Sequence, residues 1–444
     1  MKVGIISLGC AKNQVDTEVM QGILENSNYK MTDDYYDADI IIVNTCGFID
    51  DAKEESVDHI LEVAQLKETG KLKVLIVAGC LSQRYQESLK EEIPEIDAMI
   101  GTDTQDKITE VISSALKGNY ISFYDRLNKI DEQLFLRQPY QPGPSAYIKI
   151  AEGCHNYCSY CAIPLIRGGY RSRTIEDIKI EANHFIEKGS KELTLIAQDT
   201  TNYGSDIYGK FSLDTLLDEL ATIPGDFWIR VLYAYPTRIT DSLIEVINRH
   251  EKICSYLDIP LQHIDDDILT SMNRGGNKEQ ILNLIHNLRK NIPDITLRTS
   301  LIVGFPGETD EKYQNLISFM QEIEFDHAGI FKYSDEEDTQ AYNFKDKVSE
   351  DVKEQRYQEA WEVQKEITRK KNEGLVGTEM RVLIEEALED EPTTKVGRTE
   401  GHAPEVDGAV IIPDCEASSG DFINVEIVQA LDYDLIGEMT NEFS

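Results

Sequence analysis

Short runs rich in β-branched residues alternate with helical patterns over most of this sequence, and that alternation limits the fold more than any other feature. In the first region the strand-like runs are Val3 to Ser7, Asp39 to Asn44 and Val74 to Ala78, each followed by a helical pattern. Strands that alternate with helices at this spacing form a parallel sheet covered by the helices. We therefore predict an α/β protein whose N-terminal parallel α/β domain covers residues 1–138.

Each of these three strand-like runs leads into a cysteine, namely Cys10, Cys46 and Cys80. The carboxyl ends of parallel strands lie along one edge of the sheet, where ligands bind, so the three thiols are expected to converge. Gly9 and Gly79 allow unusual backbone angles and close approach to a bulky ligand. One cysteine in a strand is usually a small core residue, but three strand-end positions indicate a thiolate site. Such a site suits zinc with a fourth ligand or an iron–sulfur cluster with one open iron.

Charge and cysteine content narrow the class of protein. The chain carries 81 acidic and 44 basic residues, a formal net charge of −37. Such a chain repels a phosphate backbone unless its basic residues cluster, so we expect a basic protein as the partner and no direct binding of nucleic acid. The apolar runs fall far short of the roughly 18 residues of a membrane helix, so no membrane partner is expected. Eight cysteines in 444 residues favour metal ligation in a reducing cytoplasm over a disulfide framework.

The strongest motif follows a predicted linker from Gln138 to Ser145, which is rich in proline. Cys154, Cys158 and Cys161 are spaced Cys-x3-Cys-x2-Cys. Three cysteines this close on one loop can ligate three irons of a cubane cluster and leave the fourth iron for another ligand. A zinc site would need a fourth protein ligand, and His155 is strained in that role because it is adjacent to Cys154.

Beyond this loop the alternation of strands and helices continues, which predicts about six βα units in a partial TIM-like barrel. The runs are Ala146 to Ile150, Leu193 to Ala197, Trp228 to Leu232, Leu257 to Leu261, Thr296 to Val303 and His327 to Tyr333. Loops at the carboxyl ends of barrel strands carry the chemistry. His263 is one polar residue there that could act as a base, although a lone histidine is more often structural.

A basic segment, Arg167 to Arg173, follows the cysteine loop in an otherwise acidic chain. It could neutralise a cluster or bind a carboxylate, and the alternative is a plain solvated loop.

The C-terminal region begins after a long charged helical pattern, Ser349 to Glu373. Strand-like runs separated by turns then predict a small antiparallel β-barrel over residues 375–444. This region holds 17 acidic and 3 basic residues, a net charge of −14. A barrel that binds nucleic acid is normally basic, so this one is better suited to a basic protein.

The whole chain resembles the radical S-adenosylmethionine (SAM) methylthiotransferases, whose C-terminal barrel is of the TRAM type. The segments that carry the resemblance are Gly9 to Asp16, Asn44 to Ser56, Cys80 to Tyr85 and Gly401 to Gly408. They are similar to the branch that modifies an aspartate of ribosomal protein S-twelve. The branch that modifies transfer RNA usually reads Gly-Cys-Gln-Met-Asn at the first segment. The alternatives are therefore a transfer-RNA enzyme or a non-catalytic iron–sulfur carrier.

The resemblance implies three domains, two [4Fe–4S] clusters and SAM. Cys154, Cys158 and Cys161 would hold the cluster that generates the radical, and Cys10, Cys46 and Cys80 an auxiliary cluster that delivers sulfur. The radical-SAM domain would cover residues 139–374. Polar residues at the predicted carboxyl ends of the barrel strands are candidate contacts for SAM and substrate, among them Gln198, Arg298 and Gly304. Tyr160, the aromatic residue just before the last cysteine of the loop, is a further candidate for SAM. The implied partners are ribosomal protein S-twelve, free or on the assembling small subunit, and an electron donor such as flavodoxin or ferredoxin.

Overall fold

The computed structural model describes residues 1–124, Arg137 and 143–440. It divides into two compact units. The first is made of Met1–Pro142, Lys149–Arg173 and Ser334–Tyr342, and the second of Gly143–Ile148, Thr174–Tyr333 and Asn343–Ser444. The predicted linker starts outside the described residues, as does the predicted boundary at residue 138.

The first unit contains a six-stranded parallel sheet in the order β2-β1-β3-β4-β5-β6. Its strands are β1 (Lys2–Ser7), β2 (Lys30–Met31), β3 (Ile40–Thr45), β4 (Val74–Gly79), β5 (Ala98–Ile100) and β6 (Ile121–Phe123). Every residue of β3 and β4 is buried, as expected of central strands covered on both faces. The predicted parallel α/β domain is confirmed. The sequence pattern missed β2, β5 and β6 because two or three residues are too few to show a period.

Five helices accompany this sheet: α1 (Ala11–Asn26), α2 (Asp50–Thr69), α3 (Cys80–Tyr85), α4 (Glu87–Glu92) and α5 (Ile108–Ala115). The pattern from Gln83 to Glu91 predicts one helix, and the structure has two. Gln86 separates them because its φ of 47° lies in the left-handed region. The winding of the sheet reverses between β1 and β3, the position at which open α/β sheets bind ligands.

After β7 (Ser145–Lys149), the chain forms a compact loop that belongs to the first unit. It contains β8 (Ala151–Glu152), α6 (Ile163–Arg167) and β9 (Arg171–Ser172). β8 and β9 pair in antiparallel fashion, so the two ends of the cysteine loop are held together.

The second unit alternates strands and helices, as predicted. Its elements after β7 are α7 (Ile175–Glu187), β10 (Glu192–Ile196), α8 (Leu213–Ala221), β11 (Trp228–Val231), α9 (Asp241–Arg249), β12 (Tyr256–Asp258), α10 (Asp266–Ser271), α11 (Lys278–Asn291), β13 (Thr296–Val303), α12 (Asp310–Ile323), β14 (His327–Lys332) and α13 (Glu350–Leu375). Two three-stranded sheets, β11-β10-β7 and β12-β13-β14, are linked by a parallel bridge between Ile229 and Ile253. Thr174, Thr240 and Thr309 each accept a hydrogen bond from a backbone N–H in the first turn of a helix, which explains where α7, α9 and α12 begin.

A closed five-stranded barrel completes the second unit. It consists of β15 (Glu379–Ala387), β16 (Lys395–Thr399), β17 (Val410–Ile412), β18 (Phe422–Ala430) and β19 (Leu435–Met439). Most neighbours are antiparallel, as predicted, but β17 and β19 are parallel. An odd number of strands cannot alternate in direction all the way round, so one parallel pair is required for closure. No helix in the described ranges is long and apolar enough to span a bilayer.

Candidate functional site

Cys10, Cys46 and Cys80 follow the carboxyl ends of three neighbouring strands. Cys10 precedes α1, Cys46 comes directly after β3, and Cys80 opens α3. Two backbone contacts show that these ends approach one another. A methyl group at Gly9 would lie 2.8 Å from the Cβ of Cys46, and one at Gly47 would lie 2.9 Å from the carbonyl carbon of Cys80. The structure therefore brings the predicted auxiliary triad to one place on the sheet edge.

Two glycines allow the turns that present this triad. Gly9 and Gly79 have φ values of 89° and 90°, in the region that side chains rarely adopt. A methyl group at Gly79 would also lie 2.4 Å from the Oδ1 of Asn44. Both positions therefore need glycine, in agreement with the interpretation of the sequence.

Two buried asparagines hold the ends of β1 and β3 together. The Nδ2 of Asn13 donates to the carbonyl oxygens of Leu8 at 2.7 Å and Thr45 at 3.2 Å. The Nδ2 of Asn44 donates back to the carbonyl of Asn13 at 2.8 Å. This positioning role is not evident from the residue pattern alone. Its only signal is that both residues lie in the segments that carry the family resemblance.

The Cys-x3-Cys-x2-Cys loop is closed by backbone contacts. The N–H of Cys154 donates to the carbonyl of Gly168 at 3.1 Å, and the N–H of Cys161 donates to the carbonyl of Cys158 at 3.0 Å. Gly153 has a φ of 76°, and a methyl group there would lie 2.2 Å from the carbonyl oxygen of Gly169. The loop therefore holds three closely spaced thiols on a tightly packed backbone.

His155 has a structural partner inside this loop. Its Nε2 accepts a hydrogen bond from the N–H of Tyr170 at 3.3 Å, and its ring stacks on Tyr157. This contact argues against the zinc alternative, in which His155 would be the fourth ligand.

The thiols differ in exposure and in acidity. Cys80 and Cys154 are buried, Cys46, Cys158 and Cys161 are half-buried, and Cys10 is exposed; none of the eight cysteines forms a disulfide. Burial raises the pKa of Cys80 to about 12, although the Arg167 guanidinium opposes that shift. Burial also raises the pKa of Cys46.

The pKa of Cys10 is lowered, since the charges of Lys12 and Arg167 and two backbone N–H donors outweigh the partial desolvation of its sulfur. The negative charges of Cys10 and Cys46 each raise the pKa of Cys80. Three neighbouring thiolates need a cationic centre to coexist, so this donor set fits an iron–sulfur cluster. Within the described residues, no three Cys, His, Asp or Glu side chains are already gathered as the ligands of one metal ion.

The two sets of cysteines are connected through α6 and a buried ionic cluster. Cys80 packs against Ala162 and Ile166, which follow the loop. The buried ionic cluster is formed by four side chains: Asp16, Lys149, Glu152 and Arg167.

The basic segment, Arg167 to Arg173, is not a solvated loop. Arg167 and Arg173 are buried, and Arg171 pairs with Asp103 at 2.9 Å. The guanidinium of Arg173 donates to the carbonyl of Lys149 at 3.0 Å. Each arginine therefore has an internal partner.

The residues predicted to contact SAM lie in different places. Gln198 lies two residues after β10, and Gly304 directly follows β13 with a φ of 77°. Both therefore lie at carboxyl strand ends of the second unit. Tyr160 is half-buried in the cysteine loop of the first unit.

Arg298 is not at a strand end. It is the third residue of β13, and it pairs with Asp258 at 3.0 Å and with Asp407 of the C-terminal barrel at 3.2 Å. His263 is fully buried and lies 3.7 Å from Glu308. Glu308 in turn accepts a hydrogen bond from the N–H of Gly304 at 2.8 Å, which gives the loop after β13 a fixed shape.

Comparison with known proteins assigns each part of this architecture. Residues 2–101 match the family described as uncharacterized protein family UPF0004. Residues 148–320 match the radical SAM superfamily, and residues 376–440 match the TRAM domain. The radical SAM methyltransferase TsrM from Kitasatospora setae has a similar fold, with a TM-score of 0.54 at 14% identity over 74% of each chain. The fold and the cysteine loop thus define a radical SAM enzyme with two [4Fe–4S] clusters.

Curated relatives make the family specific. Proteins named ribosomal protein uS12 methylthiotransferase RimO are similar over nearly their whole length. The protein of Clostridioides difficile is 48% identical over 100% of both chains, and that of Desulforamulus reducens is 48% identical over 98% of this chain and 99% of the relative. The protein of Geobacter sulfurreducens is 47% identical over 99% and 98% of the two chains. The chain belongs to the RimO family of radical SAM methylthiotransferases.

Proposed function

We propose that this chain attaches a methylthio group to the β-carbon of an aspartate in ribosomal protein uS12. The observation that carries the proposal is the pair of cysteine triads in one compact unit, one on a radical-SAM loop and one on the edge of a parallel sheet. The names of the relatives support the substrate. Replacing an unactivated C–H bond is beyond acid, base or nucleophilic side chains, so a cofactor radical is required.

Cys154, Cys158 and Cys161 would ligate three irons of the radical-generating cluster. When bound, this cluster and SAM supply a carbon-centred radical that can remove hydrogen from an unactivated carbon. Gln198 and Gly304 are the proposed SAM contacts of the second unit, because strand ends of a βα barrel carry the ligand-binding loops. Arg298 is less suited to this role, because its guanidinium is already paired with Asp258 and Asp407.

Cys10, Cys46 and Cys80 would hold the auxiliary cluster from which sulfur is delivered. The exposure of Cys10 supports this role, because the sulfur must reach a substrate from outside. Asn13 and Asn44 hold the ends of β1 and β3 together, which keeps Cys10 and Cys46 in place during the reaction.

The C-terminal barrel suits a basic protein partner. Its net charge of −14 attracts a basic ribosomal protein and repels RNA. Glu386, Glu389 and Asp390 are exposed acidic residues at the end of β15 and in the turn that follows it. We further propose that the enzyme acts in the cytoplasm and receives electrons from a protein such as flavodoxin or ferredoxin.

Mass spectrometry tests the proposal directly. Purified uS12 is incubated anaerobically with the reconstituted enzyme, SAM and a reductant, then digested and sequenced. We expect a net gain of CH2S on one aspartate. The control is the Cys154→Ala/Cys158→Ala/Cys161→Ala variant, which should give none. An unmodified uS12 together with a modified transfer RNA would overturn the proposal.

A further inference from the structure

Arg167 is a buried cation that connects the two sets of cysteines. It is the last residue of α6, and its side chain is 1% exposed. A guanidinium stays protonated in proteins, so its burial at this depth requires compensating partners.

Two carboxylates balance that charge. One terminal nitrogen of Arg167, Nη1, lies 3.1 Å from Glu152, and the other, Nη2, lies 2.9 Å from Asp16. The ammonium of Lys149 binds the same two carboxylates at 2.6 and 2.7 Å. The buried ionic cluster of these four side chains thus contains two cations and two anions, so its net charge is zero.

Arg167 makes two contacts that this charge balance does not need. Its Nη2 donates to the Oδ1 of Asn13 at 3.3 Å and to the Sγ of Cys80 at 3.4 Å, and the second of these reaches a thiol of the auxiliary triad.

We propose that Arg167 is a positioning residue that raises the reduction potential of the auxiliary cluster through its hydrogen bond to Cys80. The proposal rests on the proposed function, in which Cys80 is a cluster ligand. Hydrogen bonds to the sulfurs, nearby charge and burial are the properties by which a protein sets such a potential.

The sign of the effect follows from charge. One-electron reduction, with the electron supplied by the external donor, adds one negative charge to the cluster and its thiolates. A fixed cation at hydrogen-bond distance stabilises that reduced state more than the oxidised state, and burial makes the attraction stronger than in water. Because Arg167 also holds Glu152, two residues before Cys154, the same side chain fixes Cys80 relative to the other cysteine loop.

A purely structural role predicts a different result. If Arg167 only neutralises Asp16 and Glu152, its replacement changes stability and leaves the potential of the auxiliary cluster unchanged. The test must therefore read the potential and not the activity.

Potentiometry followed by electron paramagnetic resonance separates these cases. The background is Cys154→Ala/Cys158→Ala/Cys161→Ala, so that only the auxiliary cluster is present. At a fixed applied potential we expect Arg167→Gln to lower the ratio of reduced to oxidised cluster about tenfold, the worth of one charge-assisted hydrogen bond. Arg167→Lys, which keeps the charge, should restore part of the ratio.

A double variant guards against misfolding. Arg167→Gln/Asp16→Asn removes the cation together with one of its anions and leaves Lys149 paired with Glu152, so no unpaired buried charge remains. This double variant should still lower the ratio of reduced to oxidised cluster, because it also lacks the hydrogen bond from Arg167 to the sulfur of Cys80. Arg171→Gln is the matched control. Arg171 pairs with Asp103 and donates to the carbonyl of Gly169, each at 2.9 Å, so its loss should leave the ratio unchanged.

The outcomes are distinguishable. A background protein with no iron would refute the cysteine assignment of the proposed function and the role of Arg167 with it. The background protein can instead hold its cluster and show the same ratio of reduced to oxidised cluster as Arg167→Gln and Arg167→Gln/Asp16→Asn. That result would overturn the role of Arg167 and leave the proposed function standing.

Discussion

The Nη1 of Arg84 donates to the Oε2 of Glu336 at 2.6 Å across 252 positions of sequence. Lys53 reaches the same oxygen at 3.0 Å. Arg84 lies on α3, which Cys80 opens, and Lys53 lies on α2. Glu336 therefore ties a distant part of the chain to the helices beside the auxiliary triad.

The same distant segment also contacts the cysteine loop. The N–H of Ala341 donates to the carbonyl of Ser159, between Cys158 and Cys161, at 2.8 Å. Residues 334–342 thus contact elements next to both triads, which explains why they group with the first unit.

Glu336→Gln should release this segment. The Glu336 side chain is 2% exposed, and its loss as an anion leaves Arg84 and Lys53 without their shared partner. Breaking a buried pair in this way costs about 3 kcal/mol, so hydrogen exchange in residues 334–342 should become about a hundredfold faster. The matched control is Glu337→Gln, since Glu337 is the neighbouring residue and is exposed. Equal exchange in both variants would contradict the assigned role of the ion pairs.

Iron content separates the two triads. Reconstituted protein should bind about eight irons, in two clusters of four. Cys154→Ala/Cys158→Ala/Cys161→Ala should retain about half, and so should Cys10→Ala/Cys46→Ala/Cys80→Ala, because each triad sits on its own backbone elements. Metal analysis of the three proteins checks this. Loss of all iron from either variant, or zinc as the main metal, would show that the assignment of two separate sites is wrong.

Cys10→Ala should separate cleavage of SAM from transfer of the methylthio group. The variant keeps Cys154, Cys158 and Cys161, so reductive cleavage of SAM to 5′-deoxyadenosine should continue at a rate similar to wild type. Transfer of the methylthio group should be lost. Chromatography of both products from one reaction gives the answer. Cys254→Ala is the control, because Cys254 is a buried cysteine outside both triads and its replacement should spare both products. Loss of SAM cleavage in Cys10→Ala, with the radical cluster intact by spectroscopy, would contradict the division of roles.

The positions of the cysteines are predictable because they depend on local pattern. A parallel sheet brings the carboxyl ends of its strands to one edge. Once the three strands are predicted correctly, the convergence of Cys10, Cys46 and Cys80 follows. The Cys-x3-Cys-x2-Cys loop is contiguous and needs no tertiary information.

Long-range charge pairing was not predictable in the same way. The sequence does not indicate which of the 81 acidic residues forms an ion pair with Arg167, Arg84 or Arg298. Arg167 belongs to a segment that reads as a basic patch, and it is buried against Asp16. Arg298 lies near a polar strand-end motif in sequence, but it occupies the third position of β13 and pairs with the C-terminal barrel.

Acid should weaken the second unit through His402. Burial, with His327 nearby, lowers the pKa of His402 to about 3, and Arg230 and Arg398 add to that shift. A lowered folded-state pKa means that stability is complete above the unfolded pKa of about 6.5 and is lost as the pH falls toward 3. Between pH 7 and pH 5 the free energy of unfolding should fall by about 2 kcal/mol.

Urea unfolding followed by tryptophan fluorescence measures this change, because Trp228 packs against Phe422 of the C-terminal barrel. His402→Asn is the comparison, since an amide can keep the hydrogen bond to Thr399 without titrating. Its stability should be nearly flat over the same pH range. An equal fall in both proteins would assign the pH dependence to another group.

The acidic C-terminal barrel should govern how fast the ribosomal protein associates. Surface charges act over about 8 Å at physiological ionic strength, so association with a basic partner should slow as salt is added. Glu386→Lys/Glu389→Lys/Asp390→Lys should slow association further and change dissociation little. Glu385 is unsuitable for this test, because it accepts a hydrogen bond from Arg398 at 2.7 Å and reversing its charge would disturb the barrel itself.

The control is a triple charge reversal on α2, Glu54→Lys/Asp58→Lys/Glu68→Lys. It changes the net charge by the same amount, at exposed residues of the N-terminal sheet domain. Surface plasmon resonance over a salt series compares the three proteins. Equal slowing by both triple variants would mean that net charge and not the barrel surface attracts the partner, and tighter binding of a transfer RNA than of uS12 would contradict the barrel's assigned specificity.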